Sequence, residues 1–549
     1  MASDKKAPFT ITFTPGSRSM EVPPGITILE AARQAGLHLT APCGGTGRCG
    51  KCMVKVTSGQ EETAQPWVLA CQTTVSNALT VELPSRPMLI LEKGQIQPVP
   101  LEPAVFLGDR GLVKHRAGIS MEKKSEPGEP LLGLAVDIGT TTLVSYLYDL
   151  AGGQSLAVAS RENGQRSYGA DVISRLAYAL EGDAAYRELR QALAHSLDQL
   201  ILDCCRLAGV NPRSIYEIVA VGNTPMIHLL LHMPVQGLAA APFQPAAKGP
   251  FYRNARELGL TSVTAAVCYL PPLIGGFVGS DALAAALAQG FGLSAGTQLL
   301  VDIGTNGEIL LQAGEQLLAA SAPAGPALEG GSLMYGMPAV TGAVSKVTMD
   351  YDVHPVVIGN SQPLGICGSG VVDAVAEMLR LDLIDSSGHL VNPSEISPVV
   401  SFKIKQRLQQ GQRQNRFILA DKVYLDQKDI REVQLAKAAV AAGIQVILLE
   451  AGIKAEALET LALAGGFGNY LNPANALRVG LLGEVRESKI HQVGNAAGSG
   501  AIMLLLNFTA RERAADLSKR FKHLELANDE RYHRIFIQQL NFPDKECGV

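Results

Sequence analysis

Four of the nine cysteines, Cys43, Cys49, Cys52 and Cys71, stand at C-x5-C-x2-C-x18-C spacing, three of them inside the glycine-rich phrase APCGGTGRCGKCMVKV. A 2Fe-2S cluster takes four thiolates, and its sulfides take hydrogen bonds from nearby backbone N–H groups. Gly44, Gly45, Gly47 and Gly50 allow the tight curvature such a loop needs. A tetrahedral zinc site is the competing assignment, but it calls for two C-x2-C pairs and only one is present. The pattern therefore predicts a 2Fe-2S cluster on Cys43, Cys49, Cys52 and Cys71.

A second set of residues suits nucleotide chemistry. Asp137-Ile138-Gly139-Thr140-Thr141-Thr142 ends an apolar strand, and Asp302-Ile303-Gly304-Thr305-Asn306-Gly307-Glu308 ends another. Glycine in such a turn lets backbone N–H groups approach phosphate oxygens, threonine hydroxyls add donors, and a carboxylate can hold Mg²⁺ through water. Gly465, Gly466, Phe467 and Gly468 follow a third apolar strand and leave room for an adenosine. A lone Asp-x-Gly-Thr would be read as an ordinary strand corner; the two copies with the later glycine turn predict ATP with Mg²⁺. No G-x-x-x-x-G-K-[ST] occurs, so a Walker P-loop is excluded.

These sites require particular elements around them. Residues 8–24 read as two short strands, followed by a helix from Thr27 with a Glu30 capping box. The stretch to about residue 130 is rich in Pro, Gly and charge. From Leu131 apolar strands and Ala/Leu-rich helices take over, and the phrases at 133–153 and 299–318 repeat one another, which implies two related α/β halves around a cleft. ICGSGVVDAV at 366–375 and NAAGSGAIMLLL at 495–506 each open an apolar helix, to face the nucleotide or to pack helices closely. The expected division is 1–86 for the cluster domain, 87–130 for a linker, 131–213 for the first ATPase half and 214–549 for the second.

Composition narrows the class. The chain has 549 residues with 47% hydrophobic content, enough for several cores. A formal net charge of -4 with dispersed basic residues argues against a nucleic acid partner. Pro271, Pro272, Asp281 and Lys437 interrupt the most apolar stretches, and the start MASDKKAPFT has no apolar signal core, so a cytoplasmic protein without a membrane span is expected. Several residues are assigned structural roles. His228 and His232 lack a third ligand, Cys204, Cys205, Cys268 and Cys367 have apolar neighbours, and Trp67 is expected to pack. The tail after Glu512 reads as a pair of surface helices.

The Asp137, Asp302 and Gly465 elements resemble the phosphate-1, phosphate-2 and adenosine motifs of the actin, sugar-kinase and Hsp70 superfamily over residues 131 to about 508. The cysteine spacing is one residue longer than the plant type and resembles adrenodoxin-type ferredoxins. The fold class expected is α/β and α+β multidomain, with an N-terminal β-grasp ferredoxin-like domain followed by a duplicated ribonuclease-H-like ATPase fold. Taken whole, with VGNTPMIHLL, SAPAGPALEGG and the LNFP ending, the chain resembles the reductive activators of corrinoid-dependent enzymes. That resemblance implies an ATP-hydrolysing electron-transfer activator that passes one electron from its 2Fe-2S cluster to the cob(II)alamin of a partner corrinoid methyl-transfer protein. It also implies an upstream electron donor and a homodimer. In this reading Asp137 and Asp302 organise Mg²⁺, while Gly139 to Thr142 and Gly304 to Glu308 hold phosphates. The alternative is an ATP-gated, redox-sensing binding or assembly module. A small-molecule kinase would leave the cysteine domain without purpose, and activators of benzoyl-CoA-type reductases use fewer cysteines.

Overall fold

The computed structural model describes residues 8–14, 18–35, 37, 39, 41, 45–47, 52–57, 67–83, 99–108, 112–121, 128–411 and 414–544. At the N-terminus, strand Phe9–Thr14 forms a hairpin with Arg18–Val22 and runs parallel to Leu79–Glu82. Met53–Thr57 and Trp67–Leu69 complete a five-stranded sheet, with Trp67–Leu69 at the edge. Helix Ile28–Gln34 starts where the Thr27 hydroxyl accepts the Glu30 N–H at 3.1 Å. The Glu30 carboxylate engages Arg33 at 3.4 Å rather than completing the capping box. The buried face of the helix, Ile28, Leu29, Ala31 and Ala32, joins Ile11, Phe13, Val54 and Val81 in one core. This is the β-grasp ferredoxin-like domain that the sequence predicts.

Two six-stranded sheets make up the body. In the first, Leu132–Ile138 is central; Thr142–Asp149 and Ser155–Glu162 fold back from it antiparallel, and Ile215–Gly222 runs parallel on its other side. In the second, Thr297–Ile303 occupies the same place, with Gly307–Ala313 and Gln316–Ala322 on one side and Thr460–Ala464 parallel on the other. The repeated phrase is thus a repeated meander, and the two halves form the duplicated ribonuclease-H-like fold. Ile215–Gly222 is buried at every position, as an interior parallel strand covered on both faces must be. The first sheet also holds Val267–Leu270 and Phe251–Asn254, so residue 213 falls inside its span.

Parallel pairing aligns strand ends. Ile138 pairs with Gly222, and Asp302 with Ala464, so the loops that follow these strands open at one edge of each sheet. Ligand sites of open α/β sheets lie beyond such carboxyl ends. Behind the cleft, helices Ser280–Ala288 and Ala496–Leu506 cross in close contact: a Cβ on Gly500 would lie 2.0 Å from the Ala284 carbonyl oxygen.

The stretch preceding Leu131 is tied to the body where it is described. The Glu102 N–H donates to Leu506 at 2.8 Å and its carbonyl accepts from Phe508 at 2.7 Å. The hairpin of Val105–Leu107 and Val113–His115 places His115 Nε2 3.2 Å from Glu217 Oε1, and Arg511 holds the same oxygen at 2.8 Å, all three being buried. The tail departs from a plain helix pair. Between helices Thr509–Arg520 and Glu530–Gln538, Lys522–Leu524 adds a parallel strand to Gln316–Ala322. Among the described residues one helix, Gln427–Ala451, is long and apolar enough to cross a membrane; 78% of its apolar window is buried within the protein.

Candidate nucleotide cleft and cluster domain

A cleft of about 330 Å³ lies where the two sheets open towards each other. Asp137, Gly139, Thr140, Thr141 and Thr142 line it from the first half, and Asp302, Gly304, Thr305, Asn306 and Glu308 from the second. Gly465, Gly466 and Phe467 complete the wall. Gly307 and Gly468 stand behind this surface: Gly307 pairs with Ile303 in the sheet, and Gly468 backs onto Leu463. The structure therefore gathers three loops far apart in the chain into one site.

Each loop is shaped by its glycine. The Gly139 N–H donates to the Thr142 carbonyl at 3.0 Å, and a Cβ on Gly139 would meet that oxygen at 2.5 Å. Gly465 has φ +82°, and a Cβ there would lie 2.2 Å from Asp302 Oδ1. The Gly465 turn and the Asp302 loop consequently touch through the space that a side chain would fill.

Further residues of the cleft had no assigned role in the sequence. Glu329 joins the halves: its Oε2 accepts from the Thr141 hydroxyl at 3.1 Å and the Thr305 hydroxyl at 2.7 Å. Asn223 donates to Thr140 Oγ1 at 3.0 Å, and Asn495 donates to Asp137 Oδ2 at 2.9 Å. Asp281 opens helix Ser280–Ala288 and lines the cleft. Cys367, Gly368 and Ser369 line it at the start of helix Gly368–Arg380, so one of the two later glycine phrases reaches the site with a glycine. In the other, Asn495 and Ala497 reach it while Gly500 packs helices.

The cleft gathers four acidic side chains. Asp137, Asp281, Asp302 and Glu308 sit at the floor of the cleft with only partial exposure. Burial raises Asp137 to about 6, against the pull of the Asn495 hydrogen bond. Burial and then the charge of Asp137 raise Asp302 to about 7. Asp281 rises to about 8, chiefly by burial, with Asp137 and Asp302 adding to it. Glu308 is pushed well above the carboxylate range by burial and by Asp281. Like charges at close range disfavour joint ionisation, and a divalent cation held through water would reverse that preference.

In the ferredoxin domain, Cys52 and Cys71 are 2% and 6% exposed and belong to one core. The Ala70 N–H donates to the Cys52 carbonyl at 2.9 Å, which brings the two segments side by side. Between Cys43 and Cys49, Gly45 and Gly47 have φ of +96° and +79°, and Gln72 Nε2 lies 3.8 Å from Cys71 Sγ. Cys43 and Cys49 themselves lie outside the described residues. Two buried thiols beside a left-handed glycine turn fit a thiolate-ligated cluster. Trp67 departs from its expected packing role: it is 54% exposed on the edge strand. His228 is a satisfied core residue, with Nδ1 2.9 Å from the Thr224 carbonyl and Nε2 accepting from the Ala246 N–H.

Residues 11–76 match the 2Fe-2S iron-sulfur cluster binding domain, residues 132–294 the RACo middle region, and residues 296–548 the C-terminal ASKHA domain of RACo. The corrinoid activation enzyme RamQ of Eubacterium limosum is 31% identical, over 94% of this chain and 96% of its own length. The chain belongs to the corrinoid activation enzyme family. A further relative of this activator family, the [Co(II) methylated amine-specific corrinoid protein] reductase of Methanosarcina barkeri, is 25% identical over 75% of this chain and 77% of its own. The solved structure of a reductive activator for corrinoid, iron-sulfur protein superposes with a TM-score of 0.72 at 27% identity, covering 97% of this chain and 98% of that one. As a corrinoid activator with these domains, the chain carries a 2Fe-2S cluster and binds ATP.

Proposed function

We propose that this protein is a cytoplasmic, ATP-hydrolysing reductive activator that passes one electron to the cob(II)alamin of a partner corrinoid methyl-transfer protein and so regenerates cob(I)alamin. The observation that carries this reading is the full-length match to a corrinoid activation enzyme in a chain that joins a thiolate-rich ferredoxin domain to a two-sided nucleotide cleft. The 2Fe-2S cluster supplies single-electron transfer, and a separate donor restores the electron. Cys43, Cys49, Cys52 and Cys71 hold it. Asp137 and Asp302 hold Mg²⁺ through water, the Gly139–Thr142 and Gly304–Glu308 turns hold the phosphates, and Gly465 to Gly468 accommodate the adenosine.

Glu329 gives the cleft a means of sensing closure, because its one oxygen is shared by hydroxyls from both halves. A phosphate chain between the loops competes for the same hydroxyls, so the nucleotide interacts differently with open and closed arrangements. Raising an electron by 100 mV requires roughly 2.3 kcal/mol, within reach of such differential binding. The activator acts as a homodimer in this reading, with 1–86 as the cluster unit and 87–130 as the connection, and with the boundary between the two ATPase halves beyond Val267–Leu270, the last strand in chain order of the first sheet.

The test mixes reduced protein with a cob(II)alamin-loaded corrinoid protein from the same organism and follows the visible spectrum with and without Mg-ATP, with Cys49→Ser as control. ATP-dependent and cluster-dependent appearance of cob(I)alamin supports the proposal. ATP hydrolysis without reduction of any corrinoid partner refutes it in favour of a redox-sensing binding module.

A further inference from the structure

Among the described residues, the ferredoxin domain is hydrogen-bonded to a short segment of the body that also grips the Gly139–Thr142 loop. Residues 163–168 leave strand Ser155–Glu162 and form a single 3-10 turn, Gly164–Ser167. On one side the Asn163 backbone N–H donates to the Thr141 carbonyl at 2.9 Å, and its side-chain amide donates to the Gly139 carbonyl at 3.0 Å. On the other side the Ser167 carbonyl accepts from Arg33, and the Ser167 hydroxyl donates to the Leu39 carbonyl at 3.3 Å. The Arg33 guanidinium lies 4.9 Å from the centre of the Tyr168 ring. Leu39 precedes Cys43 by four residues and shares a core with Cys52 and Cys71.

The turn is held tightly on every side. Asn163, Gln165 and Ser167 are 0%, 0% and 1% exposed; the Gly164 N–H is held by Ser196 and the Gln165 amide by the Leu189 carbonyl. A 3-10 turn rises about 2 Å per residue, so roughly 8 Å separates the grip on the phosphate loop from the grip on the ferredoxin domain. Arg166, between them, lines the nucleotide cleft and pairs with Glu162.

We propose that segment 163–168 is a nucleotide-sensitive docking surface for the chain's own ferredoxin domain, which binds it through Arg33 and the Leu39 carbonyl more tightly when nucleotide fills the cleft. The proposal rests on ATP occupying the cleft of Asp137 and Asp302. A bound phosphate chain orders the Gly139–Thr142 loop, and the loop then holds Asn163 and the turn in the arrangement that Arg33 and Leu39 recognise. A site already ordered by one ligand costs less to order for the next, which makes the coupling positive. Coupling is reciprocal, so docking of the ferredoxin domain also tightens nucleotide binding.

Hydrogen–deuterium exchange on the full-length, cluster-loaded protein, with and without a non-hydrolysable ATP analogue and Mg²⁺, tests this. Protection of residues 137–142 reports nucleotide binding, and residues 28–35 report docking. The expected result is slower exchange at 28–35 on adding nucleotide, by about fivefold or more, the lower range of site-to-site coupling. Arg33→Ala and Tyr168→Leu should abolish that response while retaining the cluster's visible absorption and the protection at 137–142. Unchanged or faster exchange at 28–35 while 137–142 is protected overturns the coupling, as does an undiminished response in both variants. No protection at 137–142 would instead overturn nucleotide occupancy of the cleft.

Discussion

Gly465→Ala is the substitution from which the cleft geometry makes its sharpest demand. The residue has φ +82°, where an L side chain costs about 1–2 kcal/mol. That cost alone would make the variant less stable without saying anything about nucleotide. The added Cβ, however, would fall 2.2 Å from Asp302 Oδ1, so the carboxylate must turn away or the adenosine turn must retreat. If Asp302 loses a charge-assisted contact through Mg²⁺ water, about 1.5–3 kcal/mol goes with it. At 1.4 kcal/mol per tenfold, Mg-ATP affinity falls by roughly 10- to 150-fold. Gly314→Ala is the control: Gly314 has φ +60°, and a Cβ there would meet nothing within 4 Å. It should lower the melting temperature through backbone strain and leave titration calorimetry with Mg-ATP unchanged. Wild-type Mg-ATP affinity in Gly465→Ala, with a stability loss equal to that of Gly314→Ala, would refute the contact between the adenosine turn and Asp302 as a determinant of binding.

Asp137, Asp302 and Asp281 titrate near 6, 7 and 8, above the ordinary 3.8, so the folded apoprotein holds protons that the unfolded chain has released. These groups therefore lower apoprotein stability as pH rises from 4 to 8, whereas Mg²⁺ needs them ionised; Mg-ATP affinity by calorimetry should rise between pH 6 and 8, by up to about tenfold per unit for each proton released. Arg511→Ala leaves Glu217 buried opposite His115 alone and should cost about 3–5 kcal/mol in denaturant unfolding, a loss that Arg511→Lys recovers in part. Cys71→Ser should remove the cluster's visible absorption while the protein still binds Mg-ATP, since the thiol lies in the ferredoxin core and not in the cleft.

What the sequence made legible was local. Asp137-Ile138-Gly139-Thr140 and Asp302-Ile303-Gly304-Thr305 announce themselves because a strand-ending turn is encoded by neighbours, and the cysteine loop is contiguous in the same way. Asp281 was not legible: Gly-Ser-Asp ahead of an alanine-rich helix reads as an ordinary helix start, and its place beside Asp137 and Asp302 arises only from parallel pairing between distant strands. Glu329 and Asn223 lay within phrases noted for family likeness, but their hydrogen bonds to threonines from other loops are tertiary facts. Lys522–Leu524 is too short to show a strand's alternation and becomes one because Gln316–Ala322 offers an edge. Trp67 is expected to pack, yet its position on the edge strand, which no local pattern reveals, leaves it half open to solvent.

The crossing of Ser280–Ala288 and Ala496–Leu506 places bare backbone at the one point where Gly500 meets the Ala284 carbonyl. With no side chain to interlock there, the two helices bear on each other as a knife-edge bears on a beam. Both helices are buried along their length, so a side chain added at Gly500 would have no solvent to turn into and would wedge the pair apart behind the cleft.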